Sequence, residues 1–157
     1  MQTRFATASD VPALTSLINA AYTVEHFFKA GDRIDEAGVG AMQAKGMFLI
    51  LEREGAPVGS VYVELRGMRG YLGLLAVDPA RQGGGAGRML MAAAEEYLRE
   101  HGAAVCDLRV VNLREELPGF YRRFGYVECG TEPFSDPDEA TRPCHFILMS
   151  KPLTRFQ

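Results

Sequence analysis

Cysteine is scarce and scattered in this sequence. Cys106, Cys129 and Cys144 are the only three in 157 residues, and no two form a CxxC pair. The odd count and wide spacing argue against a disulfide framework and against a Cys-based metal site. Cys106 lies in an apolar run and reads as a small buried hydrophobe rather than a nucleophile. Long hydrophobic runs are also missing. The apolar stretches at 47–51 and 72–77 are far below the roughly 20 residues a membrane helix needs. The first residues, Met1-Gln2-Thr3-Arg4-Phe5-Ala6, contain no signal-like apolar segment. Lysine and arginine form no block, and the net charge is −3, so binding to nucleic acid through phosphate neutralisation is not expected. The reading is of a reduced, cytoplasmic chain with no membrane or nucleic-acid partner and no metal. Its slight acidity is compatible with a cationic substrate.

What remains is ordinary globular composition, 47% hydrophobic and 24% charged, enough for one domain over residues 1–157 with a sizeable core. Residues 3–7 read as a first strand. Ser9 or Asp10 is placed to cap a helix from about Val11, with Leu14, Leu17 and Ile18 on its buried face. A weaker helix is expected over 35–44. Strands follow at 47–53, 58–66 and 71–77, joined by the turns Glu54-Gly55-Ala56-Pro57 and Gly67-Met68-Arg69-Gly70, and so pair antiparallel. A glycine-rich loop leads into a helix over 88–100. Then come a strand at 104–111, a short helix at 114–124 with Pro118 early in it, a strand from Tyr126, a polar loop over 131–142 and a last strand at 145–150. The order β-α-α-β-β-β-α-β-α-β-β is that of a mixed α/β sheet with helices on both faces.

The most informative segment is Val77-Asp78-Pro79-Ala80-Arg81-Gln82-Gly83-Gly84-Gly85-Ala86-Gly87-Arg88. A strand enters a loop with four glycines in five positions, and a helix begins there. Glycines permit positive φ and close approach of a ligand. Unpaired amides and the helix dipole at a helix start suit a phosphate or pyrophosphate. A flexible surface loop is the bland alternative. A Walker loop needs Lys-Ser/Thr after its last glycine, whereas Arg88-Met89 follows here. A dinucleotide fingerprint needs Gly or Ala three residues past Gly87, where Leu90 stands.

The segment resembles the signature of the GNAT acetyltransferase family, Q/R-x-x-G-x-G/A, at Gln82, Gly85 and Gly87. The resemblance extends over the whole element order. It implies the GNAT fold, a mostly antiparallel sheet with a splayed central parallel pair. It also implies acetyl-CoA as co-substrate, lying between the strand ending at Val77 and the strand ending at Val111. The pyrophosphate would rest on Gln82, Gly83, Gly84, Gly85, Ala86, Gly87 and Arg88. The pantetheine arm would run along Leu75, Ala76 and Val77 in the manner of an added strand. Gly84 stands where family members often carry Lys or Arg. A second motif, Asn112 followed by Phe120-Tyr121-Arg122-Arg123-Phe124-Gly125-Tyr126, resembles the family's C-terminal coenzyme segment. It places Tyr121 at the tyrosine that lies near the thioester sulfur in many members. There a phenol can protonate the departing thiolate; by periodicity alone Tyr121 is a core aromatic. Asn112 is either a ligand contact or a helix cap. Pro118 and Gly119 depart from the family's usual Ala-containing turn.

An amine acceptor is mostly protonated at neutral pH and must lose a proton before attack. Glu64 is the first candidate for the base. It alternates with Val63 and Leu65; a solvent-facing strand carboxylate is the competing reading. Glu25 and His145 rank below it. His26 is expected near the acceptor pocket, and the acidic loop 135–139 reads as solvated. Backbone N–H at Val77 or its neighbour would hold the oxyanion. The function that follows is acetyl transfer from acetyl-CoA to a primary amine of a small molecule or peptide, by direct attack in a ternary complex. The alternatives are a non-catalytic acyl-CoA-binding module on the same fold and, less well matched, a nucleotide-phosphate enzyme. The acceptor, the acyl preference and the choice between monomer and homodimer are not readable from these residues.

Overall fold

The computed structural model describes residues 1–153. Strand β1 spans Gln2–Phe5, β2 Met47–Arg53, β3 Ala56–Arg66, β4 Arg69–Val77, β5 Val105–Val111, β6 Val127–Pro133 and β7 His145–Pro152. Helix α1 spans Val11–Ala21, α2 Glu36–Gln43, α3 Ala86–Glu100 and α4 Leu117–Arg122. The element order is the expected one. The strands form a single sheet ordered β1-β2-β3-β4-β5-β7-β6, antiparallel throughout except for β4 beside β5.

The hairpins follow from local chemistry. Glu54 and Gly55, at φ 54° and 78°, close β2 onto β3 as a two-residue loop. Positive φ at both central residues matches the strand twist, so the turn is tighter than the four residues expected and β3 begins at Ala56. Gly67, at φ 65°, starts the two-residue turn between β3 and β4. Asp35 caps α2 by accepting from the Gly38 N–H at 2.7 Å. Neither Ser9 nor Asp10 caps α1: Asp10 accepts instead from Arg4 at 2.8 and 2.9 Å and from the Thr7 N–H at 2.7 Å. Two other expectations are corrected. Helix α4 is shorter than 114–124, because Arg114 to Glu116 form turns before Pro118 enters its first turn. Strand β6 runs on to Pro133, paired with β7, through residues expected in the polar loop.

The core lies on both faces of the sheet. Leu49, Leu51, Val61, Val63 and Leu72 meet Leu90, Met91, Ala94 and Leu98 of α3, and Tyr121 of α4 joins them. Phe48, Ile50 and Tyr62 point the other way, onto Leu14 and Ile18 of α1 and Val39 of α2. Strand β4 changes phase part-way. Leu72 faces α3, but so do Leu75 and Val77, whereas Leu74 and Ala76 face α1. Strict alternation would forbid this. The shift is a β-bulge between the Ser60–Ala76 and Tyr62–Gly73 pairs, with Leu74 in the left-handed region at φ 49°. A branched residue there is strained by about 1–2 kcal/mol, and the bulge re-aims every side chain that follows.

Candidate active site

Strands β4 and β5 pair only at Arg69–Val105, Gly70–Cys106 and Tyr71–Asp107. Beyond Tyr71 the two strands separate, while β5 stays paired with β7 along its whole length. The groove between them opens into two adjoining cavities, and Tyr22, Leu75, Leu117 and Tyr121 line both.

The larger cavity, about 540 Å³, lies at the start of α3. Its apolar wall is Leu75, Val77, Leu117, Phe120 and Phe124, and its polar end is formed by Gln82, Gly83, Gly85, Ala86, Gly87 and Arg88. Gly85 is the residue before the helix, in the left-handed conformation at φ 83°, and no side chain caps the first turn. The first-turn amides have no acceptor within the helix and carry the positive end of the helix dipole. Asp78 steadies the loop by accepting from the Ala80 N–H at 2.9 Å, and the Gln82 side-chain amide donates to the Val77 carbonyl at 3.4 Å. Arg88, Arg114 and Arg123 line this cavity, and among the described residues no carboxylate does. These donors and cations, set against an apolar trough, fit a phosphate-bearing carrier with a thin arm. Ala76, Gly84 and Asn112 do not line it. Asn112 ties β5 to β7, its Oδ1 accepting from the His145 N–H at 2.8 Å. The sequence singled out Arg88 alone among the three arginines; Arg114 and Arg123 come from the turn before α4 and from its end, and nothing in their local pattern marks them.

The smaller cavity, about 270 Å³, lies on the other side of Tyr121. Two irregular segments close it. Thr141 N–H donates to the Phe28 carbonyl at 2.7 Å and Ala30 N–H to the Glu139 carbonyl at 3.2 Å. The charged lining is Glu25, Lys29, Arg33, Arg109 and Asp136. Ser135 and Asp136 thus belong to the cavity wall, although their loop reads as solvated in the sequence. His26 is exposed and, like His145, lines neither cavity.

Tyr121 is 9% exposed, and its hydroxyl forms no hydrogen bond with another described residue. Burial holds its pKa well above that of a free phenol, so the proton stays on oxygen at neutral pH. Burial likewise pushes the neighbouring Tyr22 up to about 12. Glu25 is 6% exposed and accepts from Arg114 at 2.8 Å. Burial raises its pKa above the ordinary value, against the lowering effect of Arg114, Arg33 and Lys29. Glu64 does face away from Val63 and Leu65, but onto the α1–α2 side. It accepts from the Tyr62 hydroxyl at 2.5 Å and from Arg66, and it lines neither cavity. Burial acts to raise its pKa, yet the hydrogen bonds from Arg66 and Tyr62 outweigh that and leave it below the usual carboxylate range. Among the described residues no group of three or more His, Cys, Asp or Glu is placed to hold a metal ion, and no helix is long and apolar enough to cross a membrane.

The model of the acetyltransferase (GNAT) family matches residues 11–126, and the chain belongs to that family. It is 36% identical to streptothricin acetyltransferase of Streptomyces lavendulae over 76 residues, a match covering 48% of this chain and 40% of that protein. The chain therefore spans well under two thirds of that relative's length. Among solved structures, ribosomal-protein-alanine N-acetyltransferase from Brucella melitensis superposes with a TM-score of 0.76 at 25% identity, covering 97% of this chain and 99% of that one. Ribosomal-protein-S18-alanine N-acetyltransferase from Escherichia coli gives 0.80 at 19% identity over 99% and 96% of the two chains, a likeness of fold. The mixed α/β sheet with its single parallel pair is the fold of this family.

Proposed function

We propose that the protein transfers an acetyl group from acetyl-CoA to a primary amine of a small molecule or peptide, by direct attack in a ternary complex. One observation carries this reading: the β4–β5 groove opens at one end onto the uncapped first turn of α3, and a protonated tyrosine stands where the two cavities meet. The diphosphate of the carrier rests on the amides from Gly83 to Arg88, with Arg88, Arg114 and Arg123 supplying positive charge. The arm follows Leu75, Ala76 and Val77, whose edge groups have no partner on β5. The thioester then lies beside Tyr121 and the amine enters from the smaller cavity.

In the reaction, the amine nitrogen forms its bond to the thioester carbonyl carbon, and backbone N–H groups of the β4 lip stabilise the oxyanion. The C–S bond breaks as the carbonyl re-forms. Tyr121 donates to the departing sulfur, which leaves as the thiol. The nitrogen gives up its proton to Glu25. We assign that role to Glu25 and not to Glu64, because Glu25 lines the cavity and burial raises its basicity, whereas Glu64 is held by two donors outside it. A carboxyl of raised pKa is the better proton acceptor once ionised.

Thiol release from acetyl-CoA, followed against a panel of primary amines, tests the proposal. Amine-dependent release, with the acetylated amine found by mass spectrometry, is the expected result. Tight acetyl-CoA binding with no release for any amine would leave only a carrier-binding module.

A further inference from the structure

The charges around the smaller cavity are unequally satisfied. Lys29 pairs with Glu139 at 2.9 Å and donates to the Asp32 carbonyl at 3.2 Å. Arg109 pairs with Glu132 at 2.7 Å and stacks on Phe146, its guanidinium carbon 4.1 Å from the ring centroid. Glu25 is bound to Arg114. Arg33 differs. It is half-buried and forms no hydrogen bond or salt bridge with any described residue. Its guanidinium stands over the Tyr22 ring at 5.6 Å, and it acts on Glu25 only through space. Three cations, Lys29, Arg33 and Arg109, line the cavity against two carboxylates, Glu25 and Asp136. Asp136 is exposed, on the opposite loop.

This wall does not suit a polycationic amine. A half-buried guanidinium with all five donors unspent is instead a receptor for a planar anion, which it binds through two parallel N–H···O bonds. The cavity is also small, below the usual range of about 300–1,000 Å³ for a drug-sized ligand. We infer that the acceptor carries a carboxylate as well as its amine: it is a free amino acid or similarly small amino carboxylate, with Arg33 holding the carboxylate while the amine turns toward Glu25 and Tyr121. The inference rests on the acetyl-transfer reading above and narrows its substrate class.

The test uses the full chain, acetyl-CoA and matched acceptor pairs: amino acids as free acids and as their carboxamides, each scored by kcat/KM for thiol release. Free acids should exceed their amides at least about tenfold, as expected for the loss of one charge-assisted contact. Arg33→Met should lower kcat/KM for the acids about 10- to 100-fold, mainly through KM. It should lower the amides far less, so that the acid-to-amide ratio falls toward one; an effect passed through Glu25 would act on both series alike and leave that ratio unmoved. Arg33→Lys should recover part of the loss. Amides that react as well as or better than the acids overturn the inference while the acetyl-transfer reading stands; so does an Arg33→Met variant that slows both series equally. Absence of release from every pair, and from carboxylate-free amines, overturns both.

Discussion

Tyr71 and Asp107 form the last residue pair that β4 and β5 share; one step further the strands part and the groove begins. The position of that parting decides which residues become available. Leu72 still packs under the sheet, while Leu75 and Val77, moved across by the bulge at Leu74, line the larger cavity. Three expectations follow from this arrangement, and a fourth concerns the core beneath it.

On the proposed reading, a substitution at Gly87 should separate folding from coenzyme binding. A Cβ there would meet only Phe120 Cζ at 3.5 Å and Leu75 Cδ2 at 4.0 Å, which are ordinary contacts. Gly87→Val should therefore fold, with a melting temperature within about 5 °C of the parent, since helix propensity favours valine over glycine. Its branched side chain would occupy cavity space, and coenzyme A affinity measured by calorimetry should fall at least about tenfold, or 1.4 kcal/mol.

Tyr121→Phe removes a hydroxyl that no described residue hydrogen-bonds. Stability in urea should change by less than about 0.5 kcal/mol, because no protein partner is stranded. If the phenol protonates the leaving sulfur, kcat should drop by about 10²–10⁴, with coenzyme A affinity preserved. An unchanged kcat removes Tyr121 from that role.

Glu25 should set the acid limb of the pH profile. Its pKa is raised, chiefly by burial, so kcat/KM should decline as pH falls through a value above the ordinary 4.5. Glu25→Gln should lose that limb and about 10²–10⁴ in rate. The stability sign is the reverse of the usual carboxylate case. With its folded pKa raised, Glu25 contributes stability that is fully present below its unfolded pKa and lost as pH rises through its folded pKa. Denaturation of wild type and variant should thus diverge in favour of the variant as pH increases through that window.

Away from the cavities, Glu95 of α3 is a buried junction. It accepts from the Tyr126 hydroxyl at 2.8 Å and from Lys151 at 2.7 Å, with Arg99 at 3.6 Å. Tyr126→Phe removes one donor from a buried carboxylate and should cost about 1–3 kcal/mol in urea unfolding. Because these residues line neither cavity, kcat should be retained.

Periodicity made most of the fold legible. An apolar run of strand length marked β2, alternation marked β3, the apolar stripe marked α3, and paired turn residues marked the hairpins. The glycine loop stood out for a different reason: four glycines lie between a strand and a helix start, and Gly83 and Gly85 adopt the positive φ that glycine permits. Leu74 carried no such signal, since leucine is a poor residue for a left-handed backbone and the bulge arises from long-range pairing. Glu64 and Glu25 show the same limit. Alternation correctly turned Glu64 away from Val63, but only the fold shows that Tyr62 and Arg66 occupy it. Glu25, Arg33 and Asp136 come together because two unpatterned segments meet across the sheet, a contact with no local sequence correlate.

The unequal reach of the parallel pair also ties abundance of a small molecule to persistence of the chain. Two thirds of β4, from Leu72 to Val77, lacks a pairing partner on β5, so an arm laid in the groove would engage the folded form and not the unfolded one. By mass action, a ligand at a hundredfold excess over its dissociation constant adds about 2.7 kcal/mol to unfolding. On the proposed reading, resistance to proteolysis would then rise and fall with supply of the carrier.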